Sequence, residues 1–138
     1  MDLFNREIVG WSMSSSLHTD LVLKSLEMAM KTTKADAEVI FHSDRGSQYA
    51  SEAYRKMLKK GNIIPSMSRK GNCYDNAYVE SWFASLKKEW IYRHNYLTEK
   101  ELKALVFEYI EVWYNKKRRH SSLGNISPRE YRLQKIAP

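Results

Sequence analysis

The 138-residue chain has one cysteine, Cys73, so it can form no disulfide within itself, and a reducing compartment is the expected setting. Its four histidines, His18, His42, His94 and His120, are too far apart for zinc-finger spacing. No run approaches the roughly 18 apolar residues of a membrane span. The opening Met-Asp-Leu-Phe-Asn-Arg has no apolar stretch of the kind a signal peptide carries. Internal repeats and low-complexity tracts are absent. These shortages exclude a disulfide scaffold, a zinc finger and a helical membrane protein, and they lead to the expectation of a cytoplasmic protein that does not enter membranes.

Apolar residues make up 43% of the chain and aromatics 12%, enough to bury a core and too many for a disordered or collagen-like chain. The length suits one domain. Lysine and arginine number 23 against 16 acids, a net charge of +7. The surplus is uneven, because residues 1–66 hold 9 basic and 8 acidic side chains while 67–138 hold 14 and 8. A basic half suits a polyanion such as DNA or RNA, and it also suits a mildly basic protein with no such partner.

Periodicity and punctuation predict an α/β chain. Ile8, Val9 and Trp11 read as a strand, one arm of a hairpin with Leu3 and Phe4. Thr19 is placed to cap a helix in which Val22, Leu26 and Ala29 or Met30 share a face, and Val39-Ile40-Phe41 reads as a buried strand. The polar stretch His42 to Tyr49 follows, then a helix near 51–60 and a strand at Ile63-Ile64. Strand, helix, strand alternation is the signature of α/β layers. Residues 66–75 have no period and read as a loop, with Asp75 capping a helix from about Asn76 to Arg93. Thr98 and Glu101 form a capping box for a helix whose Leu102, Leu105, Val106, Tyr109, Ile110, Trp113 and Tyr114 make a core stripe. Ser127-Pro128-Arg129-Glu130 repeats that logic before a short terminal helix. The run Lys116 to His120 is the densest positive charge, equally suited to a solvated helix end and to a DNA contact.

Two acids stand out by position. Asp44 lies just past a buried strand, where open α/β sheets bind ligands, and Glu80 is one turn into the helix after the loop. As plain alternatives, Asp44 is a turn residue and Glu80 a first-turn acid favoured by the helix dipole. On the helix, Asn76, Glu80, Phe83 and Lys87 recur at spacings of four, three and four and so share one face. Lys87 then falls about 10 Å along the axis from Glu80, within reach of a DNA phosphate. Phe83 is expected in the core.

Thirty-five residues lie between the two acids, inside His-Ser-Asp-Arg-Gly-Ser-Gln-Tyr and Asp-Asn-Ala-Tyr-Val-Glu-Ser-Trp-Phe-Ala-Ser-Leu-Lys. With Ser-Met-Ser-Arg-Lys-Gly-Asn at 66–72 and Tyr-Asn…Arg-Arg-His-Ser-Ser-Leu-Gly…Ser-Pro at 114–128, the chain resembles, over almost its whole length, the bacterial insertion-sequence DDE transposases that share the retroviral-integrase core. The resemblance implies a ribonuclease H-like fold in which three carboxylates hold two Mg²⁺ ions about 4 Å apart for cleavage and joining of DNA strands. Mn²⁺ is a possible substitute. Mg²⁺ takes hard oxygen ligands, which agrees with the acids present.

By that resemblance Asp44 is the second acid and Glu80 the third. Lys87, Asn76, Arg69, Lys70 and Arg45 are candidate DNA contacts, on element ends or target, and His42, Ser43 and Gln48 are candidate supports for Asp44. The family's first aspartate lies on an earlier strand, and Asp2 does not match it. The expectation is therefore a single partial core: about 1–95 as core lacking its first strand, with 96–138 as a helical extension. Weak or absent catalysis by this chain alone would follow, together with self-association through unpaired strand edges and apolar surface. Two alternatives stay open, a structure-specific nuclease of the same fold and a catalytically dead DNA-binding or interaction remnant.

Overall fold

The computed structural model describes residues 1–33, 38–69, 76–95 and 97–136. It is an α/β structure with a two-stranded parallel sheet and several helices. Two compact units are present, Val9–Ala77 and Met1–Ile8 with Tyr78–Pro138.

In the Val9–Ala77 unit, helix α1 (Thr19–Thr32) precedes strand β1 (Val39–Ser43), a 3-10 turn (Ser47–Ala50), helix α2 (Glu52–Lys60) and strand β2 (Ile63–Met67). Parallel strands need a crossover, and α2 supplies it; the Ser51 hydroxyl caps α2 by accepting the Tyr54 N–H. The strands pair in register from Val39 with Ile63 to Ser43 with Met67. Pro65 has no N–H to give a ladder, which suits a strand paired on one side. Leu26, Tyr54 and Leu58 form the buried core, with Phe41, Tyr49 and Ile63 packed on it. Tyr54 meets the rings of Phe41 and Tyr49 edge-on, at 5.8 and 5.3 Å between centroids. Strand alternation then turns Ile40 and Ile64 outward, and both are exposed.

In the second unit, helix α3 (Ala77–Glu89) leads through a 3-10 turn (Ile91–Arg93) to helix α4 (Glu99–Phe107), which continues as a π-helical segment (Glu108–Tyr114). A 3-10 turn (Ser121–Leu123) and helix α5 (Pro128–Ile136) close the chain. Both expected capping boxes form: Glu101 accepts the Thr98 N–H and Glu130 the Ser127 N–H, each at 2.8 Å. Of the expected stripe, Val106, Tyr109, Ile110 and Tyr114 are buried, whereas Trp113 is exposed. The π register was not foreseen. It closes with the Asn115 N–H donating to the Ile110 carbonyl at 3.1 Å, and this wider turn carries Ile110 and Asn115 to one side of the helix, where an ordinary turn would point them apart.

Several expectations are corrected. Ile8, Val9 and Trp11 form no strand. The backbone of Ile8 is paired instead by a side chain, its N–H donating to Asn115 Oδ1 at 2.9 Å and its carbonyl accepting from Asn115 Nδ2 at 3.0 Å. Gly10 lies flat on α1, where an added Cβ would sit 2.2 Å from the Ser25 carbonyl oxygen. Thr19 is the first residue of α1 and not its cap; the His18 carbonyl closes that turn by accepting the Leu21 N–H. The helix from Asn76 ends at Glu89 instead of continuing to Arg93. Phe83, expected in the core, is 49% exposed.

Candidate active site

Asp44 follows β1 directly and is exposed. Its Oδ1 accepts the Gly46 N–H at 2.8 Å, a local turn that holds the carboxylate over its own backbone. Any larger residue at the third position would have to push the Asp44 and Gln48 side-chain ends aside. A Cβ at Gly46 would lie 3.0 Å from that same oxygen and 2.9 Å from Gln48 Oε1.

The strand end beneath Asp44 is fastened by serines that sequence reasoning did not assign. His42 Nδ1 shares a hydrogen bond with the Ser66 hydroxyl and Nε2 with that of Ser68, both at 3.0 Å. Ser68, buried at 6% exposure, donates its N–H to the Ser43 carbonyl at 3.0 Å. Its own carbonyl accepts from Arg45 Nε at 3.0 Å. The signal for Ser66 was the register, since in a parallel pair His42 faces Ser66. His42 thus braces the strands and does not touch the Asp44 carboxylate. Ser43 Oγ donates to the Asp44 backbone carbonyl at 3.0 Å, and Gln48 Nε2 donates to the Leu17 carbonyl at 3.2 Å. The phenol of Tyr49 is pushed up by burial and, secondarily, by the negative charge of Asp44.

In the other unit, Glu80 is exposed in the first turn of α3, where the helix dipole favours an acid. Glu80, Phe83, Ala84, Lys87 and Lys88, joined by Tyr92, line an open groove of about 620 Å³. The shared face of Glu80, Phe83 and Lys87 is therefore real, and Phe83 is part of the groove wall. Asn76 is half-buried just ahead of α3, and Arg69 is exposed past β2. Lys70, Asp75 and Cys73 lie outside the described residues.

The basic run divides. Arg118 donates to both carboxylate oxygens of Glu89, at 2.6 to 3.0 Å, and the Tyr109 hydroxyl donates to the same acid at 3.0 Å. The Glu89 carboxyl is held below its usual range, chiefly by its hydrogen bonds from Arg118. His120 packs edge-on against Tyr114, and burial, reinforced by the Arg118 charge, pushes its pKa down to about 4. Lys116, Lys117 and Arg119 remain exposed. Two of the five residues in this run, Arg118 and His120, are therefore part of the internal structure.

Among the described residues no group of three His, Cys, Asp or Glu side chains stands ready to hold a metal ion. The donor chemistry still fits Mg²⁺, which is commonly held by one or two carboxylates with water and phosphate oxygens completing the shell. No described helix is long and apolar enough to cross a membrane.

The sequence matches the integrase core domain over residues 1–73 and again over 62–128. Over 137 residues it is 45% identical to the transposase InsF of insertion sequence IS3fB from Escherichia coli K12 and 44% identical to that of IS3A, covering 99% of this chain and 48% of each relative. It is 44% identical over 131 residues to an uncharacterized 31 kDa protein of insertion element IS600 from Shigella sonnei, covering 95% of this chain and 48% of the relative. The chain spans about half the length of these relatives. It belongs to the integrase core domain family, with its similarity running to the insertion-sequence transposases.

Proposed function

We propose that this chain forms part of a ribonuclease H-like transposase core, in which Asp44 and Glu80 hold Mg²⁺, with Mn²⁺ as a substitute, for cleavage and joining of DNA strands. The observation that carries this reading is the presentation of the two acids. Asp44 stands exposed at the end of a parallel strand, and Glu80 stands exposed on a helix face with Lys87. Two Mg²⁺ ions, when bound, would polarise the scissile phosphate and activate the attacking hydroxyl.

The chain's own residues do the positioning. Gly46 N–H fixes the first oxygen of Asp44. His42, through Ser66 and Ser68, keeps the strand end from shifting, and Arg45 ties the turn to Ser68. Ser43 and Gln48 hold the flanking backbone. Lys87 supplies a phosphate anchor on the Glu80 face, and Arg45, Arg69, Lys70 and Asn76 extend the DNA contact. Exposed Ile40 and Ile64 on the sheet support self-association.

The alternative reading is a DNA-binding interaction module without turnover. Incubating the purified chain with labelled DNA and Mg²⁺ separates the cases. Joining of a 3′ hydroxyl to a second DNA identifies a transposase, hydrolysis alone a nuclease, and salt-sensitive binding without products the interaction module. The expected result is salt-sensitive binding with slow strand transfer that Asp44→Asn removes. Absence of DNA binding at low salt overturns both readings.

A further inference from the structure

The groove beside Glu80 has a composition that phosphate binding alone does not explain. Phe83 is 49% exposed and Tyr92 69% exposed, and both line it. A bulky aromatic left in solvent forgoes the gain of burial, so two of them facing one groove make a surface suited to being covered. Lys87 and Lys88 stand on the same wall, and Ala84, one turn from Glu80 and from Lys88, leaves room between them. Aromatic faces interleaved with lysines are the two elements of a single-strand nucleic-acid surface: rings take the flat bases, ammonium groups the phosphates. A duplex keeps its base faces stacked and cannot offer them to Phe83 and Tyr92, whereas an unpaired strand can.

We propose that this groove binds unpaired nucleotides of a DNA strand, with bases stacked on Phe83 and Tyr92 and the backbone held by Lys87 and Lys88. The proposal rests on the DNA reading above and narrows it to a frayed or single-stranded segment next to Glu80. Charge complementarity selects this occupant. An apolar peptide would satisfy the rings and leave two lysines against it, while a nucleotide strand satisfies both.

Fluorescence anisotropy with the full chain and three labelled probes tests it: a blunt duplex, the same duplex with an unpaired tail, and single-stranded oligothymidine. The tailed duplex is expected to bind at least about fivefold more tightly than the blunt one, the lower end of what base stacking contributes. Phe83→Leu and Tyr92→Leu should each remove most of that preference and leave blunt-duplex affinity unchanged. Both sites are exposed, and far-ultraviolet circular dichroism confirms that the variants fold. Ala84→Glu, which fills the groove and adds a negative charge, should weaken the tailed probe in the same way. Equal affinity for blunt and tailed duplexes, or a preference untouched by both leucine variants, overturns this inference while the DNA reading stands. No binding to any probe overturns both.

Discussion

Asn115 replaces a missing strand neighbour, and its removal has a calculable cost. Its carboxamide is 5% exposed and makes two hydrogen bonds to Ile8, itself 6% exposed. Asn115→Ala leaves the N–H and the carbonyl of Ile8 buried with no partner from this side chain. Each such group costs about 1–3 kcal/mol, so the expected loss is roughly 2–6 kcal/mol, with Tm falling by roughly 10–20 °C in a chain of this size. Urea unfolding followed by tryptophan fluorescence measures it, with an unchanged slope showing that the effect is on stability. Asn115→Asp keeps the acceptor for Ile8 N–H but sets a carboxylate oxygen against the Ile8 carbonyl, so it should destabilise at neutral pH at least as much. Exposed Asn95 provides the control, since Asn95→Ala should cost less than about 0.5 kcal/mol. If Asn115→Ala costs no more than that control, the side chain does not act as the strand's partner.

Further outcomes follow from the same structure. Gly10→Ala places a methyl 2.2 Å from the Ser25 carbonyl oxygen and 2.7 Å from the Ala29 nitrogen; a loss of about 1–3 kcal/mol or more is expected in the same unfolding assay. His120 has its folded pKa lowered to about 4, so between that value and the unfolded value near 6.5 the unfolded chain binds more protons. Stability should therefore fall as pH drops through this window, and His120→Phe should flatten the profile there. Arg118→Ala leaves a partly buried Glu89 carboxylate without its two-pronged donor and should cost roughly 1–3 kcal/mol, between an exposed and a fully buried ion pair. Lys87→Ala should weaken DNA binding across all sequences and reduce the slope of log affinity against log salt by about one.

What was legible in the sequence was local. The capping boxes at Thr98 and Ser127 depend on residues three apart, and both formed. The strand at Val39 and the helix after Ser51 carry their own signals in β-branched residues and a capping hydroxyl. Beyond the ends of helices, the larger misses were relations across the chain. Ile8-Val9 has strand composition, but a strand needs a neighbour, and Asn115, 107 residues away, took that place. Phe83 has the spacing of a core residue on the wrong face; periodicity defines faces without saying which is covered. The run Lys116–His120 looks uniform until Glu89, 29 residues before Arg118, claims one of its charges. At the candidate site, the places of Asp44 just past a strand end and of Glu80 in the first turn of a helix were readable from local pattern. The Ser66 and Ser68 clamp on His42 was not, because it exists only once the two strands are in register.

The proposed role of Asp44 and Glu80 as ligands for a divalent cation is open to calorimetric titration of the chain with Mn²⁺. Binding is expected that Asp44→Asn and Glu80→Gln each weaken by about tenfold or more, while Glu52→Gln, which alters an exposed acid on α2, leaves it unchanged. Mn²⁺ binding that is absent, or that survives both of the first two substitutions, would contradict it.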